Sequence, residues 1–346
     1  MINTKIENIK GIDRNNVLKD LEGFPNQIEY VLNNKTILDK IVENRNYSNI
    51  LVCGMGGSAI SGDLLKSLFQ NSISIPIFIN RDYSVPRWMD ENTLVVLSSY
   101  SGNTEEVLSC YNESLKMNCN PIIISSSGTL LENARSNTLQ YIKVPTGLMP
   151  RLALGYSIAI LTKLLNKLKI LSDSDVLDLR NAIKYLYNDA KEYTEIDLKK
   201  NAAISLSLKI YDKFNIIYTS SIMEVVGLRF RAQLAENAKI LSSHFTFPEQ
   251  NHNEIEAFKN ININNICILW VNDLDNHVKI KDRMRITSSI LEEFIINEFV
   301  DLNAPTFLIR ELRTIYFLDW VSFYCAIILN TDPYPIDKIK KLKSLL

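Results

Sequence analysis

Histidine is scarce in this chain, with three in 346 residues, at positions 244, 252 and 277. The five cysteines, Cys53, Cys110, Cys119, Cys267 and Cys325, are odd in number, and none belongs to a C-x-x-C pair. Together these shortages argue against a Cys/His metal centre and against a disulfide framework. Scattered cysteines of this kind suit small buried hydrophobes in a reducing compartment. Charge of one sign is also missing. Thirty-eight Lys and Arg stand against 39 Asp and Glu, so no basic excess points to nucleic acid. The apolar run near the end, Ile315 to Leu329, is broken by Asp319 and Ser322 and is too short and too polar to span a bilayer. Met1 to Lys10 is polar and lacks a signal-peptide core. The expectation is a soluble cytoplasmic chain with no membrane segment and no nucleic-acid partner.

What remains is ordinary globular usage, 46% hydrophobic and 22% charged, at a length that suggests about two domains. Glycine, although few, is concentrated where it matters. Cys53-Gly54-Met55-Gly56-Gly57-Ser58-Ala59-Ile60-Ser61-Gly62-Asp63 follows the apolar run Asn49-Ile50-Leu51-Val52 and precedes the amphipathic Leu64-Leu65-Lys66-Ser67-Leu68-Phe69. That order reads as strand, tight turn and helix. Gly54, Gly56 and Gly57 are free to take positive φ and let a ligand approach the main chain. Free N–H groups at the positive end of the helix suit an anion, and Ser58 is placed to cap the helix or touch a ligand. The stretch has neither the lysine of a P-loop nor an acidic residue placed to read a dinucleotide ribose. A plain structural turn is the competing reading.

Along the chain, residues 1 to about 45 read as helical, with a break at Phe24-Pro25-Asn26-Gln27. Strands are expected at Ile50–Cys53, Ile75–Ile79, Leu94–Leu97, Ile122–Ser125 and Tyr141–Val144, with helices at 58–70, 104–117 and 129–135. Alternation of this kind implies a parallel sheet covered on both faces, with ligands at the carboxyl ends of the strands. A long helix is expected from Leu152 to Leu168, and Leu171-Ser172-Asp173-Ser174-Asp175 reads as a linker and helix cap. A second alternating set follows: a strand at Phe214–Thr219, a helix at 224–239, a strand at Ile266–Val271, a helix at 283–299, a short strand at Thr306–Ile309 and a helix at 314–329. The expected domains are 1–170 and 171–346.

The next strand end in the first half, Leu97-Ser98-Ser99-Tyr100-Ser101-Gly102-Asn103-Thr104-Glu105-Glu106, is a second strand–turn–helix corner. Ser99, Ser101 and Thr104 place three hydroxyls around a Gly-Asn turn, and hydroxyls with helix N–H groups hold a phosphate without lysine. Ser and Thr acting only as caps and turn formers is the bland alternative. The eight residues from Ser99 to Glu106 resemble the sugar-phosphate motif of SIS (sugar isomerase) domains. Four further stretches narrow the likeness: Gly54-Met55-Gly56-Gly57-Ser58, Gly147-Leu148-Met149-Pro150-Arg151-Leu152-Ala153-Leu154-Gly155-Tyr156, Glu236-Asn237-Ala238-Lys239, and Pro248-Glu249-Gln250-Asn251-His252-Asn253-Glu254. In that order they resemble the bifunctional phosphoglucose/phosphomannose isomerase family of archaea and some bacteria, from about residue 45 to the end.

The resemblance implies two SIS-type α/β domains, each a parallel sheet between helices, and an aldose–ketose isomerase acting on hexose 6-phosphates through a cis-enediol(ate). It implies no cofactor and no metal. Glu236 would shuttle the proton, a task that suits a carboxylate held near the enediolate; read alone, it is a helical Glu beside Lys239 and Arg231. His252 would assist ring opening, reaching the site of the other subunit of a homodimer, whereas His244 and His277 carry no such pattern. Arg151 would stabilise the developing negative charge. Lys343, with Lys341 second, matches a C-terminal lysine that helps open the ring, although the run of Lys338, Lys340, Lys341 and Lys343 also reads as a solvated face. Gly56, Gly57 and Ser58 would hold the sugar end, and Ser99, Ser101 and Thr104 the phosphate. Tyr334 departs from the small hydroxyl residue frequent in the family and bears on glucose-type against mannose-type preference. An aminosugar or pentose-phosphate isomerase and a non-catalytic sugar-phosphate-binding regulator are the rival readings.

Overall fold

The computed structural model describes residues 6, 8–42, 46–259, 265–291 and 296–345. Two compact units divide the chain: Gly23–Lys184, and Met1–Glu22 together with Tyr185–Leu346. The leading helices α1 (Ile9–Ile12) and α2 (Val17–Glu22) therefore group with the C-terminal part, and the division at Lys184 falls inside the long helix α8 (Asp173–Thr194).

The Gly23–Lys184 unit holds five parallel strands in the order β2-β1-β3-β4-β5. They are β1 (Asn49–Cys53), β2 (Ile77–Asn80), β3 (Thr93–Ser98), β4 (Ile122–Ser125) and β5 (Tyr141–Lys143). The interior strands are continuous apolar runs: every residue of β3 and β4 is buried, as a sheet covered on both faces requires. Around it lie α3 (Phe24–Asn33), α4 (Gly56–Leu68), α5 (Glu105–Lys116), α6 (Gly128–Ser136) and α7 (Leu154–Lys167). One face packs as a cluster of Leu51, Cys53, Val95, Leu97, Val107, Tyr111, Ile123 and Leu130.

The other unit holds four parallel strands in the order β7-β6-β8-β9. They are β6 (Phe214–Ser220), β7 (Ser242–Phe247), β8 (Ile266–Val271) and β9 (Ile296–Val300), with α9 (Ala202–Ile210), α10 (Glu224–Gln233), α11 (Val278–Leu291), α12 (Phe307–Ile328) and α13 (Asp337–Leu345). Helix α12 is buried almost throughout, and Trp320 packs among Tyr316, Phe323 and Tyr324.

Three expectations are corrected. Residues 296–300 form strand β9, paired in parallel with β8, in place of the last part of the helix expected at 283–299; residues 292–295 lie outside the described residues. Thr306–Ile309 is the start of α12, with the Thr306 hydroxyl accepting from the Ile309 N–H as its cap. The α-helix expected over 224–239 ends at Gln233 and continues as a π turn over Leu234–Ala238.

Candidate active site

In the five-stranded sheet the chain runs outward from β1 to β2 and returns on the other side of β1 to β3. The crevice at the carboxyl ends of β1 and β3 is therefore the place where such a sheet receives a ligand. Both glycine- and hydroxyl-rich corners of the sequence lie there.

At the end of β1 the helix begins earlier than the sequence suggests. Met55 is the extended N-cap and α4 starts at Gly56, so Ser58 is buried in the first turn and makes no capping hydrogen bond. Of the three glycines only Gly56 has positive φ, at 50°. Gly57 is required by proximity instead: a Cβ there would sit 2.9 Å from the carbonyl oxygen of Pro150 and 3.5 Å from Cα of Arg151. This close approach sets the Arg151 turn (Pro150–Leu152) against the start of α4, and Arg151 is buried. Gln27 of α3, also buried, fixes the same turn by donating to the Leu152 carbonyl at 2.8 Å and accepting from the Tyr156 N–H at 3.3 Å.

At the end of β3 the hydroxyls of Ser99 and Thr104 are 2.8 Å apart, and the Gly102 N–H donates to Ser99 Oγ at 3.1 Å. Ser99 is buried, Thr104 half-buried and Ser101 exposed, its Oγ accepting from the Asn103 N–H at 3.3 Å. Thr104 is the N-cap residue of α5 without using its side chain as a cap, which leaves the hydroxyl directed to the turn. Gly102 has φ 71°, and a Cβ there would lie 1.8 Å from the Ser127 carbonyl oxygen. Sequence reasoning passed over the loop that makes this contact. Ser125-Ser126-Ser127-Gly128, at the end of β4, repeats the hydroxyl-and-glycine signature, and Gly128 in turn packs on the Ser101 carbonyl. Tyr100 closes the corner, its hydroxyl donating to the Pro145 carbonyl at 2.9 Å and accepting from the Leu148 N–H at 3.1 Å. The result is a glycine-built corner of N–H groups and hydroxyls suited to an anion with several oxygens.

The second unit carries the other candidates. Glu236 is half-buried in the π turn Leu234–Ala238, a geometry frequent at functional sites. Asn237 beside it is buried and donates to Ser322 Oγ at 2.9 Å. His252 is exposed in the short turn Glu249–His252 that follows the cis Phe247–Pro248 bond. Its flanking residues are tied down: Asn251 donates to Thr287 Oγ1 at 2.9 Å and Asn253 to Glu249 Oε1 at 3.0 Å. Two residues on, Glu254 accepts from the Tyr218 hydroxyl at 2.9 Å, and burial pushes its carboxyl above the ordinary range against the opposing effect of that bond. Lys343 and Lys341 lie on α13, which has no buried residue.

The other two histidines have no such setting. His244 hydrogen-bonds Thr219 Oγ1 at 2.9 Å and rests against Gly227, where a Cβ would lie 2.2 Å from its ring. Burial first, and Arg231 second, hold its imidazole down to about 4, so it is neutral near pH 7. His277 accepts from the Lys279 N–H at the start of α11.

Comparison with known proteins gives this geometry a family. A family model for the bacterial phospho-glucose isomerase C-terminal SIS domain matches residues 199–346. The chain is 34% identical over 337 residues to a bifunctional phosphoglucose/phosphomannose isomerase of Caldicellulosiruptor bescii, covering 95% of this chain and 98% of that protein. The chain belongs to the bifunctional phosphoglucose/phosphomannose isomerase family. Another member, from Aquifex aeolicus, is 32% identical over 336 residues, again covering 95% and 98% of the two chains. A D-glucosamine-6-phosphate 4-epimerase of Sulfolobus acidocaldarius shares 32% identity over 206 residues, 59% of this chain and 62% of that one. Among solved structures, a glucose-6-phosphate isomerase-like protein from Thermus thermophilus superposes with a TM-score of 0.61 at 14% identity, covering 98% of each chain. The C-terminal domain of glucosamine-fructose-6-phosphate aminotransferase from Francisella tularensis gives 0.68 at 15%, covering 92% of this chain and 97% of that one. At such identities the two structures speak for the fold alone. No helix among the described residues of this family member is long and apolar enough to cross a membrane.

Proposed function

We propose that the chain interconverts glucose 6-phosphate and fructose 6-phosphate, and mannose 6-phosphate and fructose 6-phosphate, by proton transfer between C1 and C2 of the open-chain sugar. The near full-length likeness to bifunctional isomerases carries this reading. The hydroxyl and N–H cradle at the ends of β1 and β3 supports it, because a phosphorylated substrate needs such a grip.

In this reading Ser99, Ser101 and Thr104 hold the phosphate, and Gly56, Gly57 and Ser58 the sugar end. Glu236 takes the proton from one carbon and returns it to the next, and Arg151 stabilises the negative charge that appears between the two steps. His252 and Lys343 help open the ring. One cis-enediolate is common to both aldoses, so a single base serves both reactions. Proton transfer of this kind requires neither redox chemistry nor a metal. The enzyme acts in the cytoplasm as a homodimer, with His252 contributed across the interface.

The decisive assay is fructose 6-phosphate formation from each aldose phosphate, by EDTA-treated wild type and by Glu236→Gln. Turnover of both by the wild type and loss of both in the variant is the expected result. A wild type that turns over neither aldose, while still binding it, would reject the proposal. The partial likeness to the 4-epimerase supports a second reading, chemistry at C4 of an aminosugar phosphate; incubation with glucosamine 6-phosphate and identification of the product separates the two. For the dimer, Glu236→Gln and His252→Ala chains are each expected to be inactive and to regain activity when mixed. Proven hybrids that stay inactive would exclude a histidine acting across the interface.

A further inference from the structure

The Glu-Asn-Ala-Lys stretch ends in a residue to which the mechanism above gives no task. Lys239 closes the π turn in the left-handed region, at φ 60° and ψ 29°. Glycine is the ordinary residue for such a helix end, since any side chain is strained there. The side chain explains what the backbone does not. Its Nζ donates to the carbonyl oxygens of Glu236 at 2.6 Å and Asn237 at 3.3 Å. The same nitrogen reaches Pro335 O at 2.9 Å and Asp332 O at 3.4 Å, carbonyls of the segment that leads into α13.

An ammonium has three protons and no acceptor, so four carbonyls saturate it, and hydrogen bonds to a charged donor are the stronger kind. Two of these oxygens belong to the last turn of a helix, where carbonyls lack helical partners. The segment on the other side leads into a helix that lies at the surface. Pro333 is buried, Tyr334 N–H donates to Asp332 Oδ1 at 2.9 Å, and α13 beyond buries none of its described residues.

We infer that Lys239 is a positioning residue for the isomerisation: its ammonium pins the turn that carries Glu236 to the segment that leads into the C-terminal helix. The inference rests on the reading of Glu236 as the proton shuttle. Lys239 touches neither substrate nor reacting atoms in this role. It fixes the base through the main chain, and it sets where the lysine-bearing α13 begins.

The test compares Lys239→Gly, Lys239→Met and Lys239→Arg with wild type on glucose 6-phosphate and mannose 6-phosphate. Misplacing a reacting group by about 1 Å costs on the order of 100-fold, so the Gly and Met variants are expected to lose roughly 10- to 100-fold in kcat with KM within about threefold. The Gly variant relieves the left-handed strain but loses the ammonium's hydrogen bonds, so its melting temperature is measured alongside and kcat is referred to folded molecules. Arg keeps a charged donor and should recover most of the lost rate. A second readout is solvent deuterium incorporated at C1 or C2 per isomerisation event. This ratio should rise in the Gly variant, because a loosely held base exchanges its proton before returning it. A Gly variant with wild-type kcat and exchange ratio overturns the inference, as does a rate loss that merely follows the unfolded fraction. Glu236→Gln, run alongside, separates the two levels. If it is inactive while Lys239→Gly is normal, only the latch fails; if it stays active, the assignment of the base fails and the latch with it.

Discussion

The carboxyl ends of β1 and β3 present N–H groups and hydroxyls, whereas near the corresponding ends of β6 and β8 the protein's own side chains pair with one another. Both sheets reverse direction at the same place in their strand order, so topology offers a crevice in each. In the five-stranded unit, glycines at 57, 102 and 128 hold backbone against backbone and leave the hydroxyls of Ser99, Ser101 and Thr104 grouped at one corner. In the four-stranded unit, Thr219 at the end of β6 is taken by His244. Beyond β8, Asp273 receives the Arg310 guanidinium at 2.8 and 3.0 Å, and Arg310 also binds Asp275 and the Ala304 carbonyl. Glycine at a strand end leaves main-chain N–H groups and hydroxyls open to a ligand, whereas side chains that pair there make a structural joint. The second unit contributes its candidates from elsewhere: a π turn, a short turn after β7 and the last helix.

This contrast divides the expected effects between kcat, KM and stability. Glu236→Gln should lower kcat by about 10³-fold, within the range for general acid–base groups, with KM little changed; a KM effect of that size instead would place the residue in binding. Removing one partner of a buried ion pair is next, with Arg310→Met expected to destabilise by about 3 kcal/mol in urea unfolding while kcat per folded molecule stays the same. A catalytic loss at unchanged stability would mean that the ends of β8 also serve the ligand.

His244 sharpens the same point through pH. Its folded-state value is about 4, against an ordinary 6.5, so the unfolded chain binds the extra proton first. Stability on its account is intact above pH 6.5 and falls as pH drops toward 4. Between pH 7 and 5 the wild type should lose about 2 kcal/mol more than His244→Gln. Equal losses would show the imidazole to be charged in place. The smallest effect belongs to the cradle, where Thr104→Val should raise KM for both aldose phosphates about tenfold, the loss of one hydrogen bond to a charged group, with kcat unchanged.

Much of the fold was legible because the central strands are nearly unbroken apolar runs: Ile50 to Cys53, Leu94 to Leu97, Ile122 to Ile124 and Ile266 to Val271. The edges were not. Strand β7, Ser-Ser-His-Phe-Thr-Phe, is rich in hydroxyls and pairs on one side only, and β9 alternates Ile-Asn-Glu-Phe-Val in a way that fitted the tail of the preceding helix. Tertiary partners rescue β9: Phe299 stacks on Trp270 at 6.0 Å, Asn297 accepts from its indole N–H, and Glu298 pairs with Lys209. At the candidate site, glycine and hydroxyl spacing marked both corners of the first unit in advance. The contributions of Gln27, Tyr100 and the Ser125–Gly128 loop depend on contacts between distant segments, which no local pattern reveals. Nor does a pattern of period 3.6 distinguish an α turn from the π turn that holds Glu236.

That turn makes chain length itself a functional variable. A π turn is an α-helix that has accepted one residue too many, and each helical residue turns the chain by about 100°. Deleting a single residue between Leu234 and Ala238 would let the helix run on with regular hydrogen bonding, yet it would swing the side chains that follow to a different face. On the reading of Glu236 as the base, a substitution beside this stretch is therefore tolerated far more readily than a change in the number of residues it contains.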